Sequence, residues 1–166
     1  MSNELSQRAS QIKLFVSDID GVWTDGTVIM NADGGESVVF SILDGFGLIS
    51  LMRNGIEVAV ISGRNNPAVA ARADKLGIKE VHLGFLNKGE LIQKIIAERN
   101  LLPSQVASIG DDLPDLEMFE HSGLSFAPPN AVAEVKVAAD YVCTAAAGRG
   151  AVREVCDLLL AAQSAG

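Results

Sequence analysis

Four short segments of this chain combine acidic, hydroxyl and basic side chains with glycine, in an order that suits phosphoryl transfer. The first, Phe15-Val16-Ser17-Asp18-Ile19-Asp20-Gly21-Val22-Trp23-Thr24-Asp25-Gly26, sets two carboxylates one residue apart just after an apolar run that reads as a buried strand. A strand end fixes both acids, and the glycine beyond lets the backbone turn sharply and a ligand come close. Asp18 is the natural nucleophile, able to attack phosphorus and form an aspartyl-phosphate. Asp20 would protonate the leaving alcohol and then activate water. A hard Mg2+ ion would hold the phosphate oxygens. An isolated Asp-x-Asp can equally cap a turn, so the reading depends on the three segments downstream.

In Val58-Ala59-Val60-Ile61-Ser62-Gly63-Arg64 a second apolar run ends in a hydroxyl and a glycine, where Ser62 and the NH groups around Gly63 could bind phosphate oxygens. An ordinary strand-to-helix turn explains the glycine as well, and Asn66-Pro67 suits a helix cap and first position. Lys88 follows Val81-His82-Leu83-Gly84 and opens a helical pattern carrying Leu91, Ile92, Ile95 and Ile96. Among aspartates it could offset repulsion and bind phosphate as a point charge. Asn87 and Glu90 form a capping box that accounts for the neighbourhood without catalysis. The fourth segment, Val106-Ala107-Ser108-Ile109-Gly110-Asp111-Asp112-Leu113-Pro114-Asp115, places three aspartates after a strand. Capping explains one of them but not three. Asp111 is the candidate metal ligand, with Asp112 and Asp115 orienting the coordination sphere.

Apolar strands alternating with amphipathic helices carry these segments, which argues for a doubly wound, mainly parallel α/β sheet with functional loops at its strand ends. The sequence divides into a polar segment 1–11 and a single domain 12–166. That domain includes a hairpin over 27–40 and a C-terminal tail and helix over 145–166. The hairpin pairs Thr27–Met30 with Ser37–Phe40 across the turn-rich Asn31-Ala32-Asp33-Gly34-Gly35. In the last helix Val152, Val155, Cys156, Leu159 and Leu160 form an apolar face, with Arg153 and Glu154 on the solvated one.

Taken together, the four segments resemble the haloacid dehalogenase superfamily of phosphotransferases from about Lys13 to the final helix. The resemblance implies a Rossmann-like fold with Asp18 as nucleophile and Asp20 as acid/base and backbone-carbonyl donor to Mg2+. It implies Ser62 and Lys88 as phosphate ligands and Asp111 as metal ligand. Through Asp18-Ile19-Asp20-Gly21-Val22, Ser62-Gly63-Arg64, Gly110-Asp111-Asp112-Leu113 and Gly148-Arg149-Gly150-Ala151-Val152-Arg153-Glu154 the chain is similar to a capless subgroup. Members of that subgroup hydrolyse 3-deoxy-D-manno-octulosonate 8-phosphate during lipopolysaccharide precursor synthesis. Similar segments occur in phosphatases of nine-carbon keto acids and in non-catalytic oligomerisation modules joined to sialic-acid cytidylyltransferases. One departure is Leu43-Asp44-Gly45, where many subgroup members have Arg-Asp-Gly.

Spacing leaves no room for a cap domain between Asp20 and Ser62 or between Ser62 and Lys88, so a lone subunit would have an open site. Walls from an adjoining subunit are therefore expected, and in the resembled subgroup the hairpin builds a tetramer core. A keto-acid substrate also needs a partner for its carboxylate. Arg64 and Arg72 are the candidates, although either could be an ordinary surface arginine. Arg149, in the tail, could reach a neighbouring site or belong to a flexible lead-in to the last helix.

A length of 166 residues with 48% hydrophobic content gives one core. The net charge of -8 argues against a nucleic-acid backbone as partner, while local cations can still hold a small anion. No apolar run is long enough to cross a membrane, and a cytoplasmic setting is expected. Cys143 and Cys156 lack metal-ligand spacing and read as buried free thiols. His82 and His121 show no ligand pattern.

Overall fold

The computed structural model describes residues 3–164. Its main sheet has six parallel strands: β1 (Leu14–Ser17), β4 (Glu57–Ser62), β5 (Glu80–Leu83), β6 (Val106–Ile109), β7 (Leu124–Ala127) and β8 (Tyr141–Val142). Their spatial order is β5-β4-β1-β6-β7-β8. The small β2 (Ile29–Met30) and β3 (Glu36–Ser37) pair antiparallel as a separate ribbon. Helices α1 (Asn3–Ala9), α2 (Ile42–Arg53), α3 (Pro67–Leu76), α4 (Lys88–Glu98), α5 (Leu116–Glu120), α6 (Ala133–Ala138) and α7 (Ala151–Ser164) complete the fold. No domain is inserted between β1 and β6, as the spacing required.

Alternation within the strands divides the core. Phe15, Val58, Val60, Ala107 and Ile109 pack on one face beneath α1, α2, α3 and α7, while Leu14, Val16, Ala59, Ile61 and Val106 pack on the other beneath α4 and α5. Because both faces are covered, the strands read as unbroken apolar runs. Strands β4 and β6 both pair with β1. The carboxyl ends of these three strands therefore lie side by side, and the motifs at those ends converge.

Residues 3–9 of the polar N-terminal segment form α1, which packs on the sheet's core. This helix buries Leu5 and Ala9, and Arg8 reaches Asp140 at 2.7 Å and the Gly123 carbonyl. The hairpin strands are two residues long rather than four, and all four paired residues are exposed. A ribbon whose paired side chains are all exposed has no apolar face to support longer pairing. Both cysteines are free and buried, as expected. No helix among the described residues is long and apolar enough to cross a membrane.

Candidate active site

Asp18 follows β1 directly, and its NH donates to the Ile109 carbonyl at 3.1 Å, tying the first motif to the fourth. Behind it, the buried Ser17 hydroxyl donates to the Asp18 carbonyl and accepts from Trp23 Nε1. Gly21 sits at φ +79°, and a Cβ there would come within 1.9 Å of Asp111 Oδ2. A glycine is thus required for the first and fourth motifs to approach so closely.

Lys88 is 5% exposed. Its Nζ donates to Asp18 Oδ1 at 2.6 Å and to Asp115 Oδ1 at 2.5 Å. Half of the capping box forms: Asn87 caps α4 by accepting from the Glu90 NH, while the Glu90 carboxylate accepts from the Asn87 side-chain amide and not from its backbone NH. Helix capping and charge neutralisation thus come from the same turn. Asp115 Oδ2 accepts from the NH groups of Asp111 and Asp112 at 2.8 and 3.1 Å. Asp112 caps the short 3-10 turn at Leu113 and lies on the rim.

Carboxylate oxygens of Asp18, Asp111 and Asp115 lie within 4.8 Å of one another. Burial, then Asp115, raises the Asp18 carboxyl to about 8 in spite of Lys88. Burial, then Asp115 and Asp112, raises Asp111 to about 7. Burial works against the charge on Lys88, but Asp18 and Asp115 outweigh it and raise its pKa. Three acids against one ammonium leave an excess of negative charge, and a divalent cation is the partner that would ionise them all at neutral pH. The donor set of hard oxygens fits Mg2+.

The Asp20 side chain lies outside that cluster. Its oxygens are 3.4 Å from Ser62 Oγ and 3.4 Å from Arg64 Nη1. Ser62 ends β4 fully buried, and its hydroxyl accepts from the Arg64 NH. A cavity of about 300 Å³ opens over this arrangement, lined by Asp18, Asp20, Gly63, Arg64, Lys88 and Asp111 among others.

Arg72 and Arg149 are not among its walls. Arg72 instead donates to the Ser41 carbonyl at 3.3 Å and braces the start of α2. Arg149 is exposed near Asp25, whose carboxyl is held low first by hydrogen bonds from Thr27 and more weakly by Arg149. The segment before α7 is far from a loose lead-in. The Gly148 NH donates to the Val22 carbonyl at 3.0 Å, and Asn130 bridges the Gly21 carbonyl and the Ala147 NH.

Glu154 is likewise not a merely solvated residue. Its carboxylate accepts from the Tyr141 hydroxyl, the Thr144 NH and hydroxyl, and the Ala145 NH. Buried Asp44 accepts from the NH groups of Gly150 and Arg153. Sequence reasoning passed over Asn130, Asp44 and this role of Glu154. Glu154 did lie in a segment singled out for its resemblance, but the pattern does not show that the loop at Thr144 and Ala145 folds back onto the first turn of α7.

Comparison with known proteins gives the family. The haloacid dehalogenase-like hydrolase family matches residues 80–155. The 3-deoxy-D-manno-octulosonate 8-phosphate phosphatase of Yersinia pestis is 40% identical over 163 residues, which is 98% of this chain and 87% of that protein. The crystal structure of the Moraxella catarrhalis enzyme of that name, in complex with magnesium ion, phosphate ion and KDO, superposes with a TM-score of 0.96. It is 40% identical and covers 99% of this chain and 94% of its own. A cobalt-bound deoxy-D-mannose-octulosonate 8-phosphate phosphatase from Haemophilus influenzae gives a TM-score of 0.91 at 40% identity, covering 95% and 92% of the two chains.

Proposed function

The chain belongs to the haloacid dehalogenase-like hydrolases, and we propose that it is a Mg2+-dependent phosphatase converting 3-deoxy-D-manno-octulosonate 8-phosphate to 3-deoxy-D-manno-octulosonate and phosphate. The observation that carries this reading is the buried Asp18–Lys88–Asp115 network beside Asp111 at the floor of the Arg64-lined cavity.

Asp18 attacks phosphorus with the oxygen that Lys88 does not hold. The phosphorus-to-ester-oxygen bond breaks, and an aspartyl-phosphate forms. Asp20 gives its proton to the leaving alcohol. It then takes a proton from the water that attacks phosphorus, releasing phosphate and restoring Asp18. Ser62, the Gly63 backbone and Lys88 bind the phosphate oxygens. Asp18, the Asp20 carbonyl and Asp111 would hold Mg2+, which supplies positive charge to the phosphate and keeps the carboxylates ionised. Asp115, with both oxygens engaged, orients Lys88 and the Asp111 backbone. Asp112 supports that turn. Arg64 is the partner for the substrate carboxylate.

The reading includes a cytoplasmic homotetramer. Support for the assembly comes from Ile29, Met30, Val39, Ile42, Leu43 and Phe46, large apolar side chains left exposed on the ribbon, on the stretch that follows it and on α2. Leu43 adds to this apolar face where many subgroup members carry arginine. Phosphate release from eight-carbon and nine-carbon keto-acid phosphates, with hexose phosphates as controls, tests the substrate. Preference for the eight-carbon compound is expected. Preference for the nine-carbon compound would reassign the substrate, and no turnover would favour a non-catalytic module.

A further inference from the structure

Arg64 is a wall shared by two cavities. One is the active-site cavity. The other, about 570 Å³, runs between Gly34–Glu36 of the hairpin and Asn65–Ala68 at the start of α3. On the inner side Arg64 Nη1 lies 3.4 Å from Asp20. On the outer side Nη2 donates to Glu36 Oε2, and Asn66 Nδ2 is 3.4 Å from the same oxygen. A hairpin carboxylate therefore already occupies an edge of the guanidinium that an incoming carboxylate needs for a two-pronged contact. The Arg64 and Glu36 side chains are 40% and 33% exposed, so the pair can open to solvent without stranding a buried charge.

We infer that Glu36 is an exchangeable internal competitor for the substrate carboxylate at Arg64, and that its return to Arg64 helps to expel the sugar-acid product. The inference rests on the phosphatase reading above. Substrate is anchored at two points, through its phosphate and its carboxylate. Hydrolysis removes the phosphate ester and leaves the sugar acid held at Arg64 alone. A tethered carboxylate competing for that one anchor weakens product more than it weakens the doubly held substrate, because the tether supplies a high local concentration of competitor.

The test is Glu36→Gln in the full chain. The quantities measured are KM for 3-deoxy-D-manno-octulosonate 8-phosphate and the inhibition constants of 3-deoxy-D-manno-octulosonate and inorganic phosphate. An ion pair of this exposure corresponds to an effect of about two- to fivefold. The inhibition constant of 3-deoxy-D-manno-octulosonate should fall by that factor and KM by less, while the inhibition constant of phosphate stays unchanged. Weaker or unchanged inhibition by the sugar acid in an enzyme that turns over normally would overturn this inference alone, as would a parallel shift in all three constants. Failure of the wild-type protein to hydrolyse the substrate would overturn the functional reading and this inference with it.

Discussion

Asp18→Asn should flatten the pH dependence of stability in the metal-free protein. Burial, then Asp115, raises the Asp18 carboxyl from 3.8 to about 8. The folded chain therefore keeps a proton that the unfolded chain gives up. Its stabilising contribution is complete below about pH 4 and declines as pH rises to about 8. At about 1.4 kcal/mol per pH unit, the interval from about pH 5 to about pH 8 has a ceiling of about 4 kcal/mol. Relaxation and water entry around the open cavity leave about 2 kcal/mol. In a domain of this size that corresponds to roughly 4–8 °C in Tm. Thermal unfolding in EDTA should show the wild-type midpoint falling across the interval by that amount more than the Asn variant, whose remaining fall comes from the raised Asp111 carboxyl that both proteins share. Saturating Mg2+ should return most of the loss in the wild type at the higher pH. Parallel curves for the two proteins would refute the assignment of the penalty to Asp18.

Other perturbations probe the segments that hold the site. Gly148 has φ +64°, and a Cβ there would lie 2.8 Å from the Asp25 nitrogen and the Thr24 carbonyl carbon. Gly148→Ala should displace the loop after Asp20 and lower kcat by about ten- to hundredfold, at a cost of about 1–3 kcal/mol in chemical denaturation. Unchanged kinetics would show that the tail does not support that loop. Glu154→Gln should cost about 1–2 kcal/mol, because a charged acceptor of several hydrogen bonds is replaced by a neutral one. The Glu154 pKa is lowered although burial opposes this, because the NH groups of Ala145 and Thr144 favour the carboxylate. Its contribution is present above the ordinary 4.5 and is lost as pH falls through the lowered value. The gap between variant and wild type, read from urea unfolding, should therefore close in acid.

The four motifs were legible because each sits at the end of a strand or the start of a helix, where local pattern and chemistry coincide. Asp18 and Lys88 are 70 positions apart, yet β1 and β5, with β4 between them, end on the same side of the parallel sheet and bring them into contact. The fold class followed from the same alternation of apolar strands and helices. What local pattern could not supply was side-chain direction. Nothing in Asp-x-x-x-Asp says that Asp115 turns back to accept two NH groups and Lys88, or that Arg72 points toward Ser41 and away from the cavity. The docking of α1 was hidden because only Leu5 and Ala9 of its polar sequence are buried. The short ribbon was overextended because β-branched residues favour strands, whereas pairing also needs a packed face.

The most direct test of the central claim is phosphate release from 3-deoxy-D-manno-octulosonate 8-phosphate by the wild type and by Asp18→Asn, each with Mg2+ and with EDTA. The wild type should turn over only with Mg2+. The variant, shown to be folded by thermal unfolding, should lose at least about a thousandfold in kcat. Mg2+-dependent turnover by the variant within about tenfold of the wild type would contradict the nucleophilic role of Asp18.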